Sequence, residues 1–208
     1  TVWTVRLECS QFDPPTSPLM RDPERTKAAI LAAAELILIK KGVRGMTLEE
    51  VAATARVSKG GLLHHYSGKE ELVLGILRRQ LSQFDEDIER RRLEDPAEPG
   101  AYTRAFLRAN LEPDEHASNV CIAFLSESRT MSASLAAAQQ HCDLWRQRLE
   151  NDGIDPVVAA IVRYAGDGLM FSALWGMPRP DNYDAIVERL LELTRPAGEQ
   201  ARPASSVQ

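Results

Sequence analysis

Residues 47–72 read TLEEVAATARVSKGGLLHHYSGKEEL, and this stretch predicts two short helices joined by a tight turn. Thr47 and Glu50 have the spacing of a capping box at the start of the first helix. The apolar residues that follow share one face of a helix: Leu48, Val51, Ala52 and Ala55. After a turn at residues 56 and 57, Ser58 is placed to cap a second helix that runs to about residue 65 or 66. Two short helices in this order predict a helix-turn-helix, whose second helix enters the major groove of DNA.

Two consecutive glycines lie on the first turn of the second helix. Inside a helix each glycine costs about 1 kcal/mol relative to alanine, so local helix propensity does not account for Gly60 and Gly61. Without side chains, they would let the backbone come close to DNA; the alternative is a frayed loop. His64 and His65 follow one turn later, with the alternative that one is a core residue and the other is exposed. Further side chains placed to reach phosphates or base edges are Ser58, Lys59 and Lys69.

The flanking sequence predicts an all-α fold. A helix over 23–41 begins at Pro23 and ends before Gly42, and Ser67 with Glu70 has the spacing of a capping box for a long helix that ends before Pro96. No alternation typical of strands is evident between residues 22 and 193. Five further helices are expected near 100–112, 114–127, 132–151, 155–176 and 182–195.

Charge is distributed unevenly along the 208 residues. The net charge is −5, but residues 21–68 hold eight Lys or Arg against five Asp or Glu, a net of +3. Residues 69–208 hold 16 basic against 23 acidic residues, a net of −7. A basic surface is therefore expected near the front of the chain, where the helix-turn-helix lies.

The cysteines and the apolar segments argue against a disulfide-bonded, zinc-binding or membrane-spanning protein. Three cysteines without CxxC spacing argue against a disulfide framework or a zinc site and fit the cytoplasm. The longest apolar region, 156–177, is interrupted by Arg163 and Asp167, which predicts a buried helix and not a membrane span. Residues 1–20 are expected to be a disordered leader, with Met20 an alternative start, and residues 196–208 a disordered tail.

Residues 25–72 resemble the N-terminal DNA-binding domain of the tetracycline-repressor (TetR) family of bacterial regulators. The matching features are Gly42, Thr47, the run Val57-Ser58-Lys59-Gly60, the pair His65-Tyr66, and the run Lys69-Glu70-Glu71-Leu72. The resemblance implies an all-α homodimer with a helix-turn-helix domain at 21–68. A variable domain at 69–195 would bind a small molecule and dimerise, without a cofactor or metal.

The resemblance also implies roles for individual residues. Thr47 and Lys69 would bind phosphates, Lys69 with help from the dipole of the long helix, while Arg25 or Thr26 would touch the DNA backbone from the first helix. The complete predicted DNA-binding set is Arg25, Thr26, Arg44, Thr47, Ser58, Lys59, Gly60, Gly61, His64, His65, Tyr66 and Lys69.

Two positions depart from the family pattern. Arg56 stands in the turn where the family has glycine, and a left-handed backbone there would cost an arginine about 1–2 kcal/mol. Leu63 stands where the family often has a phosphate-binding tyrosine, so His64 or Tyr66 would have to substitute for it.

The second domain offers candidates for a ligand cavity, although aromatic and Met side chains at helical spacing also fit an ordinary core. The candidates are Tyr102, Phe106, Phe124, Trp145, Asp167, Met170 and Phe171. Asp167 lies in an apolar helix and would need a partner group there, or be exposed or paired structurally. Excess apolar surface on the helices near 155–176 and 182–195 predicts a four-helix dimer interface.

These observations predict a DNA-binding transcriptional regulator, a repressor released from a palindromic operator by a small molecule. One alternative is a redox-responsive regulator that senses through Cys121 or Cys142. The other alternative is a helical enzyme built from these cysteines with His116 and His141, but no pair among them has motif spacing. The chain is therefore not expected to be an enzyme.

Overall fold

The computed structural model describes residues 22–95, 99–125 and 132–195, which form nine α-helices and contain no strand. The helices are α1 Pro23–Gly45, α2 Leu48–Thr54, α3 Lys59–His65, α4 Lys69–Glu94, α5 Ala101–Leu111, α6 Glu115–Leu125, α7 Ser132–Glu150, α8 Pro156–Leu174 and α9 Tyr183–Leu193. The all-α prediction is confirmed, and each predicted helix is present within a few residues of its expected bounds. The leader at 1–20 and the tail at 196–208 lie outside the described residues.

Local caps fix the first three helices. Thr47 Oγ1 accepts a hydrogen bond from the backbone N–H of Glu50 at 3.3 Å, and Ser58 Oγ accepts one from Gly61 at 3.0 Å. Both predicted caps are therefore confirmed. At the end of α1, Gly42 has a φ of 69° and breaks the helix before one more turn, as expected of a C-terminal glycine.

The predicted capping box at Ser67 and Glu70 is wrong. Gly68 is the N-cap of α4 and supplies no side-chain hydrogen bond, while Ser67 donates its backbone N–H to the carboxylate of Glu71. The acidic side chain that reaches back is thus one residue later than the spacing predicts. This contact lies at the surface of the protein, because Glu71 is exposed.

Helix α4 continues from the N-terminal helices into a second helical layer. Its second half packs with α5 and α7 around a cluster that contains Ile88, Phe106 and Leu149. Helix α5 also packs against α8, where a Cβ on Gly166 would lie 2.8 Å from Leu107 Cδ1. A glycine at 166 therefore permits the close approach of these two helices.

Helix α6 packs on the N-terminal helices. It follows α5 in the chain, yet Val120 and Ala123 lie in the core of the N-terminal helices, and α6 packs along α1. Any displacement of α6 would consequently act on α1 and, through it, on α2 and α3.

Helix α8 buries only a narrow face within the subunit. By length and composition it could cross a membrane, and little of it is buried within the subunit. Its buried residues are Ala159, Val162 and Gly166. The prediction of a buried helix is therefore wrong for the single chain, because the rest of the apolar surface faces outward.

Candidate functional site

The outer face of α3 is a small polar surface. Leu62 is completely buried against α1 and α2, whereas Gly60, Leu63 and His64 are exposed on the other side of the helix. A Cβ on Gly60 would meet no atom within 4 Å, so packing inside the protein does not require glycine there. This is the side of α3 that is free to meet another molecule.

Gly61 has a different local environment. A Cβ at this position would lie 3.2 Å from the Ser58 hydroxyl, which caps α3 through the Gly61 N–H. Glycine at 61 thus relieves crowding at the helix cap, whereas no contact among the described residues requires a glycine at 60.

Two of the predicted basic contacts are already engaged within the protein. Lys59 Nζ lies 2.6 Å from Glu49 Oε1, and this contact lowers the pKa of the Glu49 carboxyl. Lys69 Nζ donates to the backbone carbonyl of Arg44 at 3.2 Å. Lys59 is exposed and Lys69 is half-buried, and the two lie at the N-terminal ends of α3 and α4, beside the predicted interface.

Arg56 has the left-handed backbone conformation that glycine usually adopts at this position of the turn. Its φ is +56°, and it is the only residue other than glycine with positive φ in the described part of the chain. A residue with a Cβ costs about 1–2 kcal/mol in this conformation. The turn keeps the geometry expected for glycine and bears the strain of an arginine.

The remaining predicted contacts surround this surface. The rings of His64 and His65 meet edge to face with centroids 5.5 Å apart, with His64 exposed and His65 half-buried. Arg25 and Thr26 lie on the first turn of α1, where Arg25 is exposed and Thr26 is half-buried. Arg44 and Thr47 are exposed just before α2.

Tyr66 is placed differently from the prediction. Its side chain is 3% exposed, and its hydroxyl is buried without a hydrogen bond in the described part of the chain. The ring packs on α4 where a Cβ on Gly75 would come within 2.7 Å of Tyr66 Cε1. Burial, reinforced by the negative charge of Glu24, raises the pKa of Tyr66 to about 12. Tyr66 is a core residue here and is not positioned to contact DNA.

In the second domain, three of the predicted cavity residues come together. Tyr102, Phe106 and Trp145 share one cluster with Phe84, and the rings of Phe84, Phe106 and Trp145 meet edge to face at centroid distances of 5.1–5.8 Å. Burial raises the pKa of Tyr102, which the nearby Arg148 guanidinium offsets only in part. This cluster is the aromatic core between α4, α5 and α7.

Beside the aromatic cluster lies an open groove of about 410 Å³. It is lined by Ser82, Asp85, Glu86, Glu89, Tyr102 and Arg148. Asp85 accepts hydrogen bonds from Trp145 Nε1 at 2.7 Å and from His141 Nε2 at 2.8 Å, which fixes the tryptophan ring. Asp85 is not among the residues predicted from the sequence, because an acid in a charged stretch of a long helix looks like a solvated residue.

Asp167 has protein partners. Its Oδ1 accepts a hydrogen bond from Asn110 Nδ2 at 2.8 Å, and its Oδ2 lies 3.7 Å from Arg163 Nε. Burial raises the pKa of the Asp167 carboxyl, and these two neighbours oppose the shift. The structure therefore matches the alternative of a structurally paired acid between α5 and α8.

Two other candidates lie outside the aromatic cluster. Phe124 packs with the N-terminal core because α6 runs along α1, and Phe171 is exposed on the outer face of α8. Met170 is half-buried on α8. The prediction that Phe124 and Phe171 line a common cavity with Tyr102 is not supported by their positions, because helical spacing alone did not indicate which neighbour each helix contacts.

The redox and enzyme alternatives depend on two cysteines and two histidines: Cys121, Cys142, His116 and His141. Burial raises the pKa of the Cys121 and Cys142 thiols, which disfavours the thiolate that a sensor or nucleophile needs. His116 Nε2 is 3.0 Å from Glu35 on α1, whereas His141 contacts Asp85 on α4. The two histidines therefore contact different acids on different helices.

Helices α1–α3 with an outward-facing α3, joined by α4 to a helical domain, define a helix-turn-helix DNA-binding regulator. Residues 30–76 match the family model described as bacterial regulatory proteins, tetR family, and residues 100–195 match the tetracyclin repressor-like C-terminal domain. The chain belongs to the tetracycline-repressor family.

Individual relatives agree with this assignment. The chain is 30% identical over 159 residues to the HTH-type transcriptional regulator BetI of Paraburkholderia phymatum, an alignment that covers 73% of this chain and 80% of BetI. A putative transcriptional regulator from Pseudomonas aeruginosa has a similar fold, with a TM-score of 0.68, 20% identity, and coverage of 82% of this chain and 90% of the other. AibR, solved in complex with isovaleryl coenzyme A and operator DNA, matches with a TM-score of 0.57, 24% identity, and coverage of 82% and 98%.

Proposed function

We propose that this protein is a cytoplasmic, dimeric transcriptional repressor that leaves its operator when a small molecule binds the C-terminal domain. The observation that carries the proposal is the outer face of α3, where Gly60 and His64 are exposed while Leu62 anchors the helix to the core. A helix held in this way can enter the major groove by its N-terminal end. Membership of the family supports this function, as does the operator DNA bound to AibR.

The groups proposed to contact DNA are those of the predicted set that lie at the surface. The ammonium groups of Lys59 and Lys69 would bind phosphates, and their present partners are exposed, so exchange for a phosphate costs little. His64 would reach base edges in the groove. Tyr66 is left out of this proposal because it is buried.

The effector is proposed to act on the region between α4, α5 and α7. The groove beside Asp85 and Tyr102 opens toward solvent there, and the aromatic cluster lies beneath it. A ligand that prefers one arrangement of these helices would shift the population of dimers away from the form that fits DNA. The contact of α6 with α1 offers a route by which such a shift reaches α3.

Dimerisation is proposed through α8 and α9. Helix α8 carries an exposed apolar stripe that includes Tyr164, 68% exposed, and the stripe continues to Trp175, 78% exposed, which follows the helix. Such a surface is unusual on a monomer and typical of an interface. A dimer would also place two recognition helices about 34 Å apart, one helical turn of DNA.

Selection from a pool of random duplexes with the purified protein tests this function. We expect enrichment of a palindromic sequence that binds with nanomolar affinity and at least a thousandfold preference over unrelated duplexes. Compounds that raise the melting temperature of the protein would then be assayed for release of the selected duplex. Failure to enrich any sequence, or enrichment of a non-palindromic site bound by one subunit, would contradict the proposal.

A further inference from the structure

The turn between α2 and α3 contains an arginine, Arg56. Arg56 is exposed, and within the described residues its guanidinium makes no hydrogen bond or ion pair. Its neighbours differ in this respect, since Lys59 pairs with Glu49 at 2.6 Å and Lys41 with Glu50 at 2.7 Å. Arg56 thus differs from these two nearby lysines in having no acidic partner among the described residues.

The backbone conformation at Arg56 is a second indication that this arginine has a function. Glycine adopts a φ of +56° without strain, and asparagine tolerates it better than other residues with a side chain. Arginine is disfavoured there, and no intramolecular contact in the described part of the chain compensates for the strain. Strained residues of this kind concentrate at functional sites, where binding to another molecule supplies the compensation.

The position of Arg56 in the chain indicates which part of the DNA its guanidinium would contact. It lies two residues before Ser58, which caps α3, and α3 is the helix proposed to enter the major groove. A flexible arginine at the entrance to the groove faces the sugar-phosphate strands that border it, and its planar fork of N–H donors matches two phosphate oxygens. Base edges are reached from α3 itself.

We propose that the Arg56 guanidinium binds a backbone phosphate of the operator and gives this chain a DNA contact that glycine in the turn could not make. The inference rests on the proposed function, because it requires that the protein bind duplex DNA through α3. It adds a phosphate ligand outside the set of residues that the resemblance implies. In a dimer, one such contact would form in each half-site.

The test compares Arg56→Gly, Arg56→Asn and Arg56→Lys by fluorescence anisotropy over a range of salt concentrations. The probes are the duplex recovered by selection and a scrambled duplex of the same length. For the glycine and asparagine variants we expect about tenfold weaker binding to both duplexes, and a salt slope that falls by roughly 0.9 for each subunit bound. The lysine variant should retain part of the affinity, because it keeps the charge but loses the fork.

Thermal stability should change in the opposite direction from DNA affinity. Arg56→Gly relieves the strained turn, so its melting temperature should rise by about 2–4 °C while its DNA affinity falls. The matched control is Arg146→Gln, which removes one exposed positive charge from α7, far along the chain from α3. The control should leave affinity and salt slope unchanged.

Each contrary result has a distinct meaning. Unchanged affinity and slope in both the glycine and asparagine variants would overturn the inference, as would an equal loss in the Arg146→Gln control. A loss confined to the selected duplex would overturn the phosphate assignment, because a phosphate contact carries no sequence information. If the wild-type protein bound neither duplex, the proposed function itself would fail.

Discussion

The Oε2 oxygen of Glu35 lies 3.0 Å from Nε2 of His116, so that a buried acid on α1 is joined to the start of α6. The other carboxylate oxygen of Glu35 accepts a hydrogen bond from Gln80 Nε2 at 3.1 Å and lies 3.6 Å from Arg79 Nε. Helices from the DNA-binding unit, the connecting helix and the C-terminal domain therefore meet at one carboxylate. A relative movement of α6 and α1 would have to break or rearrange this contact.

Replacing the two ends of this contact should have unequal effects on stability. The Glu35 side chain is 3% exposed, and Glu35→Ala would remove the acceptor shared by Gln80 and Arg79. Because Gln80 also bonds Gln83 and Arg79 also bonds the Ala28 carbonyl, we expect a cost of about 2 kcal/mol in the free energy of unfolding. His116 is 46% exposed, so solvent can replace its contact, and His116→Ala should cost at most about 1 kcal/mol. Urea denaturation measures both values. Equal costs would show that the histidine, and not the packing around Glu35, dominates the junction.

Tyr66→Phe tests the assignment of Tyr66 to the core. Because the hydroxyl is buried without a hydrogen bond in the described residues, its removal should leave the unfolding free energy unchanged or raise it by up to about 1 kcal/mol at pH 7. DNA affinity and its salt dependence should be unchanged, because the hydroxyl does not reach the surface. Weaker DNA binding by a variant that melts like the wild type would restore Tyr66 to the DNA-contacting set.

The same residue predicts a loss of stability at alkaline pH. The pKa of Tyr66 is raised from 10.0 to about 12, so the folded state holds its proton more tightly than the unfolded state. The stability from this group is therefore fully present below pH 10 and is lost as the pH rises toward about 12. Denaturation midpoints of the wild type should fall over this range, and those of Tyr66→Phe should fall less. Parallel curves for the two proteins would contradict the prediction.

The sequence predicted most of the fold because local signals specify it. Thr47 and Ser58 cap their helices through contacts to residues three positions ahead, which a sequence displays directly. Gly42 and the turn at Arg56 likewise have the backbone conformations that their positions indicate.

Tertiary contacts account for the predictions that were wrong and for the residues that were missed. Tyr66 looked like a surface residue because its burial depends on the close approach of Gly75, nine positions later, and on the core cluster that also contains Leu31 of α1. Phe124 was assigned to the wrong cluster because the path of α6 along α1 is not visible in its spacing. Glu35 was missed although a single acid inside the apolar run AAAELILI was a usable signal of a buried, paired carboxylate.

The two glycines of α3 should respond differently to alanine. At Gly60 the new Cβ would meet no atom within 4 Å, so Gly60→Ala should gain helix propensity and stabilise the protein by up to about 1 kcal/mol. At Gly61 the Cβ would press on the Ser58 hydroxyl at 3.2 Å, which offsets that gain. Thermal denaturation of both variants measures the difference.

Measurements of DNA affinity test why position 60 is a glycine. If the position is glycine so that the backbone can approach DNA, Gly60→Leu should remain as stable as the wild type and bind the selected duplex at least tenfold more weakly, about 1.4 kcal/mol. The control is Ala136→Leu, which adds a leucine at an exposed position of α7, outside the DNA-binding helices, and should leave the affinity unchanged. Tight binding by a stable Gly60→Leu variant would remove the outer face of α3 from the DNA interface.

The exposed stripe on α8 allows the dimer to be tested without disturbing the subunit. Gly168 lies on this stripe between Tyr164 and Phe171, and a Cβ there would meet no atom of its own subunit within 4 Å. Gly168→Glu should therefore not clash within the subunit, and glutamate favours a helix by several tenths of a kcal/mol relative to glycine. In a two-fold dimer the substitution would bury two like charges, which costs several kcal/mol.

We therefore expect Gly168→Glu to halve the mass measured by sedimentation at micromolar concentration, while far-ultraviolet circular dichroism still reports a helical protein. Leu93→Glu is the matched control, because it places the same charge on an exposed position of α4, away from the stripe, and should leave the mass unchanged. The monomer should lose most of its affinity for the palindrome, since each half-site then binds one recognition helix independently. A Gly168→Glu protein that sediments as a dimer and binds the palindrome like the wild type would show that the subunits associate through another surface, and the exposed apolar residues of α8 would need a different partner.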